Sequence, residues 1–137
     1  MSVILRRGLL LLLGLLLLSG CQTLQERARG KELEKTLHNY ELTLRWGYLQ
    51  HMDDFLAPDV KPGPPITEKA LNNIRVTSYE VVRSPVYVDS ENVTQTVAIH
   101  YVFEDQQVEK QLTDQQLWTY DPEMERWNRA NPNPNLQ

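Results

Sequence analysis

The residue of this chain best suited to covalent chemistry is Cys21, the only cysteine among 137 residues. A deprotonated thiol is a nucleophile, and a single cysteine cannot form a disulfide within the chain. Cys21 follows two small residues, Ser19 and Gly20, and an apolar run over residues 9–18, while residues 1–8 carry two arginines. A basic start, a short apolar segment and small residues are typical of a secretory signal peptide. The run is shorter than the roughly 20 residues that span a bilayer, so the sequence predicts a signal peptide that ends before the cysteine.

Leu18, Ser19 and Gly20, followed by Cys21, resemble the lipobox, the processing signal of bacterial lipoproteins. The resemblance implies that the Cys21 thiol receives a diacylglycerol, that a peptidase recognises the three residues before it and removes residues 1–20, and that the new N-terminus is acylated. Several acyl chains anchor a protein stably, whereas one gives only marginal binding. The residue after the cysteine sorts such lipoproteins, and Gln22, rather than Asp, implies the outer membrane. We expect a lipid-anchored protein there that faces the periplasm.

The chain after the anchor begins as a polar segment and then becomes periodic. Residues 21–31 contain Gly30 and are interpreted as a lipidated, partly helical tether. From Glu32 onward apolar residues recur every three or four positions, which predicts one face of an α-helix. Its members are Leu33, Leu37, Tyr40, Leu44, Tyr48, Met52 and Phe55. We expect this helix to end at Ala57-Pro58, because proline disfavours helical geometry in the residue before it.

Four apolar residues of the predicted helix lie off this face, toward its opposite side: Leu42, Trp46, Leu49 and Leu56. A helix that buries only one face would not place them there. One interpretation is that a loop or a sheet edge covers them. The other is a surface for a partner or for a second copy of the chain, where Trp is favoured.

The second half of the chain predicts a short helix and then a sheet. Thr67 is expected to cap a helix over residues 66–73 by accepting from the amide of Ala70. Alternating β-branched and aromatic residues then predict three strands and a closing fourth. The predicted strands are residues 74–88, 93–104, 108–120 and 126–129. We expect one α+β domain over residues 32–129, with the long helix on a curved antiparallel sheet, and a disordered tail over residues 130–137.

This element order, with the aromatic ending LWTYDPEMERW, resembles the NTF2-like and cystatin-like α+β folds. The resemblance implies a cavity between helix and sheet in which polar side chains can bind a small ligand or act in catalysis. The residues of this chain that would line it are Tyr40, Tyr48, His51 and Tyr101. A ligand-binding domain or an enzyme of this shape is the alternative function.

Charge and composition exclude some classes of protein. The net charge is −4 at pH 7, and no cluster of Lys and Arg favours nucleic acid. Three histidines, two of them 13 residues apart on one predicted helix, do not predict a metal site, and no phosphate-binding loop suggests a cofactor. We therefore predict a non-enzymatic lipoprotein, without catalytic residues, that binds a protein partner or another envelope component. A homodimer is a further option.

Overall fold

A single long helix leads into the domain. The structure, a computed structural model, describes residues 2–136, with side chains from residue 20 onward. Helix α1 runs over Ser2–Arg45. The predicted signal peptide, with Leu18 and Ser19, lies outside the part with described side chains, whereas Gly20 lies within it. Within residues 20–136, no helix is both long and apolar enough to cross a membrane.

Helix α1 ends twelve residues earlier than the sequence predicted. The amide of Gly47 donates to the carbonyl of Leu44 (3.1 Å), and that of Tyr48 donates to the carbonyl of Thr43 (2.9 Å). This pair of bonds is a Schellman motif, which satisfies the last helical carbonyls and needs a left-handed residue. Gly47 supplies that residue with φ 77°. The predicted continuous helix to Ala57 is therefore wrong, because the apolar spacing carried on past a glycine that stops the helix.

Two short helices follow. A 3₁₀ helix over Leu49–Phe55 turns Leu49 and Met52 inward. Helix α2 spans Glu68–Asn73. The hydroxyl of Thr67 accepts from the amide of Ala70 at 3.2 Å, which confirms the predicted cap.

Four antiparallel strands form a curved, open sheet in the order β1-β2-β3-β4, as expected for the predicted α+β class. Their bounds are β1 Ile74–Tyr87, β2 Asn92–Phe103, β3 Val108–Asp121 and β4 Arg126–Arg129. Strands β2 and β3 pair without interruption, whereas β1 pairs with β2 through register shifts that mark bulges. The bulges bend β1 and increase its local twist.

The hydrophobic core lies between α1 and the inner face of the sheet. Tyr40 and Leu44 of α1 are fully buried, as are Val97 and Ile99 of β2 and Trp118 of β3. The rings of Tyr40 and Trp118 meet edge to face with centroids 5.3 Å apart, a favoured aromatic geometry. The alternation of β2 thus sets which residues face the helix.

The C-terminal segment is ordered, contrary to the expected disordered tail. The amide of Ala130 donates to the carbonyl of Leu117 at 2.7 Å, and the side-chain amide of Asn131 donates to the carbonyl of Gln115 at 2.7 Å. Leu136 is buried in the core cluster. The Pro and Asn composition of the segment suggested disorder, but the segment gains hydrogen bonds and apolar burial from residues that are distant in sequence.

Candidate functional site

Cys21 lies on an exposed part of α1. Residues 20–28 are all exposed, and Cys21 has a free thiol. At about 1.5 Å of rise per residue, the exposed stretch from Cys21 to Ala28 is roughly 11 Å long. The predicted tether is helical here and continuous with α1, so the helical backbone links Cys21 directly to the domain. Gln22, the residue proposed to sort the protein, is also exposed on this stretch.

Aromatic contacts hold α1 to the sheet just after this stretch. The indole nitrogen of Trp127 donates to the carbonyl of Arg29 at 3.0 Å. The guanidinium of Arg29 lies over the ring of Tyr120, 4.5 Å from its centroid. Tyr87 packs edge to face on Trp127 at 6.1 Å. These contacts fix the direction in which α1 leaves the domain toward Cys21.

The structure does not bring together the four residues of the predicted pocket. Tyr40 and Tyr101 are buried in the core cluster, whereas Tyr48 and His51 are exposed. The Nδ1 of His51 lies 2.9 Å from a carboxylate oxygen of Asp54, at the surface. The shallow groove beside Tyr48 is lined by none of the other three residues. The space between helix and sheet is filled by side chains.

The four residues of the predicted partner surface are also separated. Leu49 is 1% exposed and Leu56 is buried as well, while Leu42 is half-buried and Trp46 is 71% exposed. The prediction assumed one helix through all four positions, and the helix ends before the last three. What stays at the surface is Trp46 with Tyr48, 57% exposed, beside a shallow groove that Leu42 also lines.

A buried ionic cluster, which the sequence did not predict, lies at the C-terminal end of the core. The guanidinium of Arg129 binds the carboxylate of Asp114 with both terminal nitrogens, at 2.6 and 2.9 Å. It also donates to the hydroxyl of Tyr40 at 2.8 Å and to the carbonyls of Asn131 and Pro132 at 3.1 and 3.0 Å. All five N–H groups of the guanidinium are thereby used.

The cluster continues on both sides. The hydroxyl of Tyr40 donates to Asn133 at 3.0 Å, and Asn133 donates to Asp53 at 2.8 Å. The amide nitrogen of Gln116 donates to Asp114 and to the hydroxyl of Tyr79, both at 2.9 Å. No buried side-chain polar atom among the described residues lacks a partner. The cluster therefore joins α1, the 3₁₀ helix, β3 and the C-terminal segment.

Burial raises the pKa of both tyrosines in this cluster. It raises the pKa of Tyr79 to about 12, with the negative charge of Asp114 acting in the same direction and the hydrogen bond from Gln116 opposing it. Burial raises the pKa of Tyr40 as well, against the opposing charge of Arg129. Arg129 stays charged, since the partners Asp114 and Tyr40 outweigh its desolvation and raise its pKa. Arg129 is therefore charged beside two neutral tyrosines, an arrangement suited to holding structure.

A sequence signal for the cluster was present in β3. Leu112, Trp118 and Tyr120 were predicted to share one face, and two-residue periodicity puts Asp114 and Gln116 on that same face. A carboxylate and an amide on an inward face predict buried partners. The partner of Asp114 could not be identified in this way, because Arg129 is brought to it only by the pairing of β3 with β4.

Within residues 20–136, no group of three or more His, Cys, Asp and Glu side chains is placed to hold a metal ion. Comparison of the chain with protein-family models, with curated proteins and with solved structures gives no match. The resemblances to the lipobox and to the NTF2-like and cystatin-like folds therefore stay predictions.

Proposed function

We propose that this chain is a lipoprotein of the bacterial outer membrane, anchored by acyl chains on Cys21, whose non-enzymatic domain binds a protein partner in the periplasm. The observation that carries the proposal is the thiol of Cys21, free and exposed on a helical stretch and preceded by the residues that the lipobox requires. An acceptor thiol must be reachable by the enzyme that modifies it, and this position meets that condition.

A rigid link between anchor and domain supports the same role. Helix α1 is unbroken from Cys21 into the core, and the bond from Trp127 to the carbonyl of Arg29 fixes it to the sheet. A domain held in this way stays close to the bilayer and keeps a restricted orientation. Such an arrangement suits presentation of one surface to a partner better than diffusion on a flexible linker.

Trp46 and Tyr48 are the residues proposed to contact the partner. They lie just beyond the end of α1, roughly 37 Å along the helix from Cys21, and therefore at the end of the helix that is remote from the anchor. Both aromatic side chains are more than half exposed. Exposed Trp and Tyr are enriched at the centres of protein interfaces.

Lipidation is tested by expressing the full chain and a Cys21→Ala variant in a Gram-negative host. We expect the wild type to carry added lipid mass and to fractionate with the outer membrane, and the variant to lose both. The matched control is Gln22→Asp, which keeps the thiol and is expected to move the lipidated protein to the inner membrane. Equal masses for wild type and Cys21→Ala, with cleavage at another site, would refute the anchor.

Partner binding is tested separately by crosslinking in intact envelopes. We expect Trp46→Ala to reduce crosslinked partner at least about tenfold, the loss typical of an interface hot spot. Met124→Ala is the control, since Met124 is also strongly exposed but lies in the turn between β3 and β4. Equal yields from both variants would remove Trp46 from the proposed surface.

A further inference from the structure

The two edges of the sheet differ in what covers them. At the β4 edge, the amide of Ala57 donates to the carbonyl of Arg129 at 2.8 Å, and Leu56 forms a bridge with the same residue. At the β1 edge, no strand among the described residues pairs with the outer side. An unpaired edge presents free backbone donors and acceptors to another chain.

The uncovered part of β1 is also unusually apolar. Eight consecutive residues, Glu80–Tyr87, are exposed. Four of the large apolar side chains at this edge are about half exposed or more: Val81, Val82, Val86 and Tyr87. Proteins usually protect such an edge with charges, bulges or proline. Here Pro85 lies toward the end of β1, and the bulges lie between Val76 and Ser78, between Val81 and Arg83 and between Arg83 and Val86. Glu80 and Val81 carry no bulge between them and stay open to another strand.

The charges at this edge complement a second copy of the same strand. A bulge lies between Val81 and Arg83 in the pairing with β2, so Val82 is an extra residue, and Glu80 and Arg83 stand one step on either side of Val81. Within residues 20–136 neither Glu80 nor Arg83 has an ion-pair partner. A strand with opposite charges placed symmetrically about one residue is complementary to itself when it runs antiparallel.

We infer that β1 is a homodimer interface, in which β1 of a second copy adds antiparallel to this edge about a twofold axis through Val81. Residues equally far on either side of such an axis face each other. Glu80 of each copy then faces Arg83 of the other on the outer face of the joined sheet, and the two Val81 side chains meet on the inner face. The inference does not depend on the lipid anchor.

Disulfide trapping tests the axis. Residues opposite each other in antiparallel strands have Cα atoms about 4.5–5.5 Å apart, within the range that a disulfide spans. The full chain carrying Cys21→Ala, so that any introduced thiol is the only one, is purified in mild detergent and oxidised with copper phenanthroline. We expect Val81→Cys to yield a covalent dimer.

Val86→Cys is the matched control, because Val86 is an exposed valine on the same strand. Because of the bulges, Val86 is only three pairing steps from Val81: Val81 pairs with Val97 and Val86 with Thr94. At a rise of roughly 3.3 Å per step on each side of the axis, the two Val86 residues lie about 20 Å apart. We expect it to give at least about tenfold less dimer than Val81→Cys. Equal yields from the two variants, or oligomers larger than a dimer before oxidation, would overturn the register.

A charge swap tests the pairing without a crosslink. Glu80→Arg places two arginines opposite each other and should raise the dimer dissociation constant at least about tenfold in sedimentation equilibrium. The double variant Glu80→Arg/Arg83→Glu restores opposite charges and should recover the dimer. All these chains carry Cys21→Ala. A chain with the native β1 that stays monomeric at high micromolar concentration, or a double variant no better than the single one, would refute the interface. Because both experiments work without lipid, their failure is distinct from a failure of the proposed anchor.

Discussion

The buried ionic cluster and the β1 edge invert the usual distribution of side chains. Arg129, a permanent cation, is 1% exposed, whereas Val82, an aliphatic residue, is 57% exposed. The cation is tolerated inside because Asp114, Tyr40 and two backbone carbonyls accept hydrogen bonds from all five N–H groups of its guanidinium. The valine is exposed because β1 is an edge strand of the sheet. In these two regions burial follows the partners that the fold supplies, and the chemical class of a side chain is secondary.

The largest expected effect comes from breaking the cluster at Asp114. Asp114→Ala leaves the guanidinium of Arg129 buried without its counter-charge, which typically costs about 3–5 kcal/mol. We expect a loss of this size in the free energy of unfolding measured with denaturant. The control is Glu104→Ala, which breaks an exposed ion pair with Arg75 of similar length, 2.9 Å, and should cost less than about 1 kcal/mol. Equal losses would mean that burial does not distinguish the two pairs.

A second prediction compares two aliphatic residues, one at each region. Leu136 is buried where the C-terminal segment meets the core, so Leu136→Ala should lower the free energy of unfolding by about 2–4 kcal/mol. Val82→Ala at the β1 edge should change it by less than about 0.5 kcal/mol. Denaturant unfolding of the monomer at low protein concentration measures both. A negligible effect of Leu136→Ala would show that the C-terminal segment does not contribute to the core.

A smaller effect on stability is expected at the end of α1, where the chain changes direction and Leu49 turns into the core. Gly47→Ala forces a side chain into a left-handed residue with φ 77° and should cost about 1 kcal/mol. Gly63→Ala is the control, because Gly63 has open space around it and no positive φ. Thermal and denaturant unfolding measure the difference. Indistinguishable variants would mean that the Schellman motif is not needed to end the helix.

The smallest effect, a loss of stability through ionisation of Tyr79, is absent at neutral pH and arises only at alkaline pH. Burial raises the pKa of Tyr79 to about 12, above its ordinary value of 10.0. The neutral phenol is therefore favoured by folding, so this stability is complete below about pH 10 and is lost as the pH rises toward about 12. We expect the free energy of unfolding to fall across that interval, and to fall less steeply in Tyr79→Phe. A wild-type curve that stays flat to pH 12 would contradict the assignment.

Local sequence signals predicted much of the fold. The bounds of all four strands agree with the prediction to within one residue, and the Thr67 cap is confirmed. Strand alternation and caps depend on neighbouring residues, so sequence alone can reveal them. The end of α1 was also written locally, in Arg45-Trp46-Gly47, where a basic last turn and a glycine are typical of a helix C-terminus. The longer apolar pattern was given more weight than this signal.

The candidate sites were predicted less well because they depend on where the elements pack. Leu49 and Leu56 were proposed as surface residues beside Trp46, but both are buried. Leu49 points inward from the 3₁₀ helix, and Leu56 forms a bridge with Arg129 at the β4 edge, which agrees with the alternative that a sheet edge covers them. Tyr40 and His51 were placed in one pocket, but one is buried and the other exposed. Helical spacing gives the direction of a side chain only while the helix continues, so the directions predicted for Tyr48 and Leu49 were wrong. Met52, also after Gly47, is buried as predicted.

The order, type and bounds of the strands, the short helix and the chemistry available at Cys21 could all be predicted from the amino-acid sequence. Each of these depends on residue type, on period or on contacts within a few positions. Three other features follow from packing: the C-terminal segment is ordered, Asp114 meets Arg129 and the β1 edge is left open. Those features depend on residues that are far apart in the chain. Whether a polar group finds a hydrogen-bond partner, and whether an apolar side chain is buried, is decided by neighbours that only the packed fold provides.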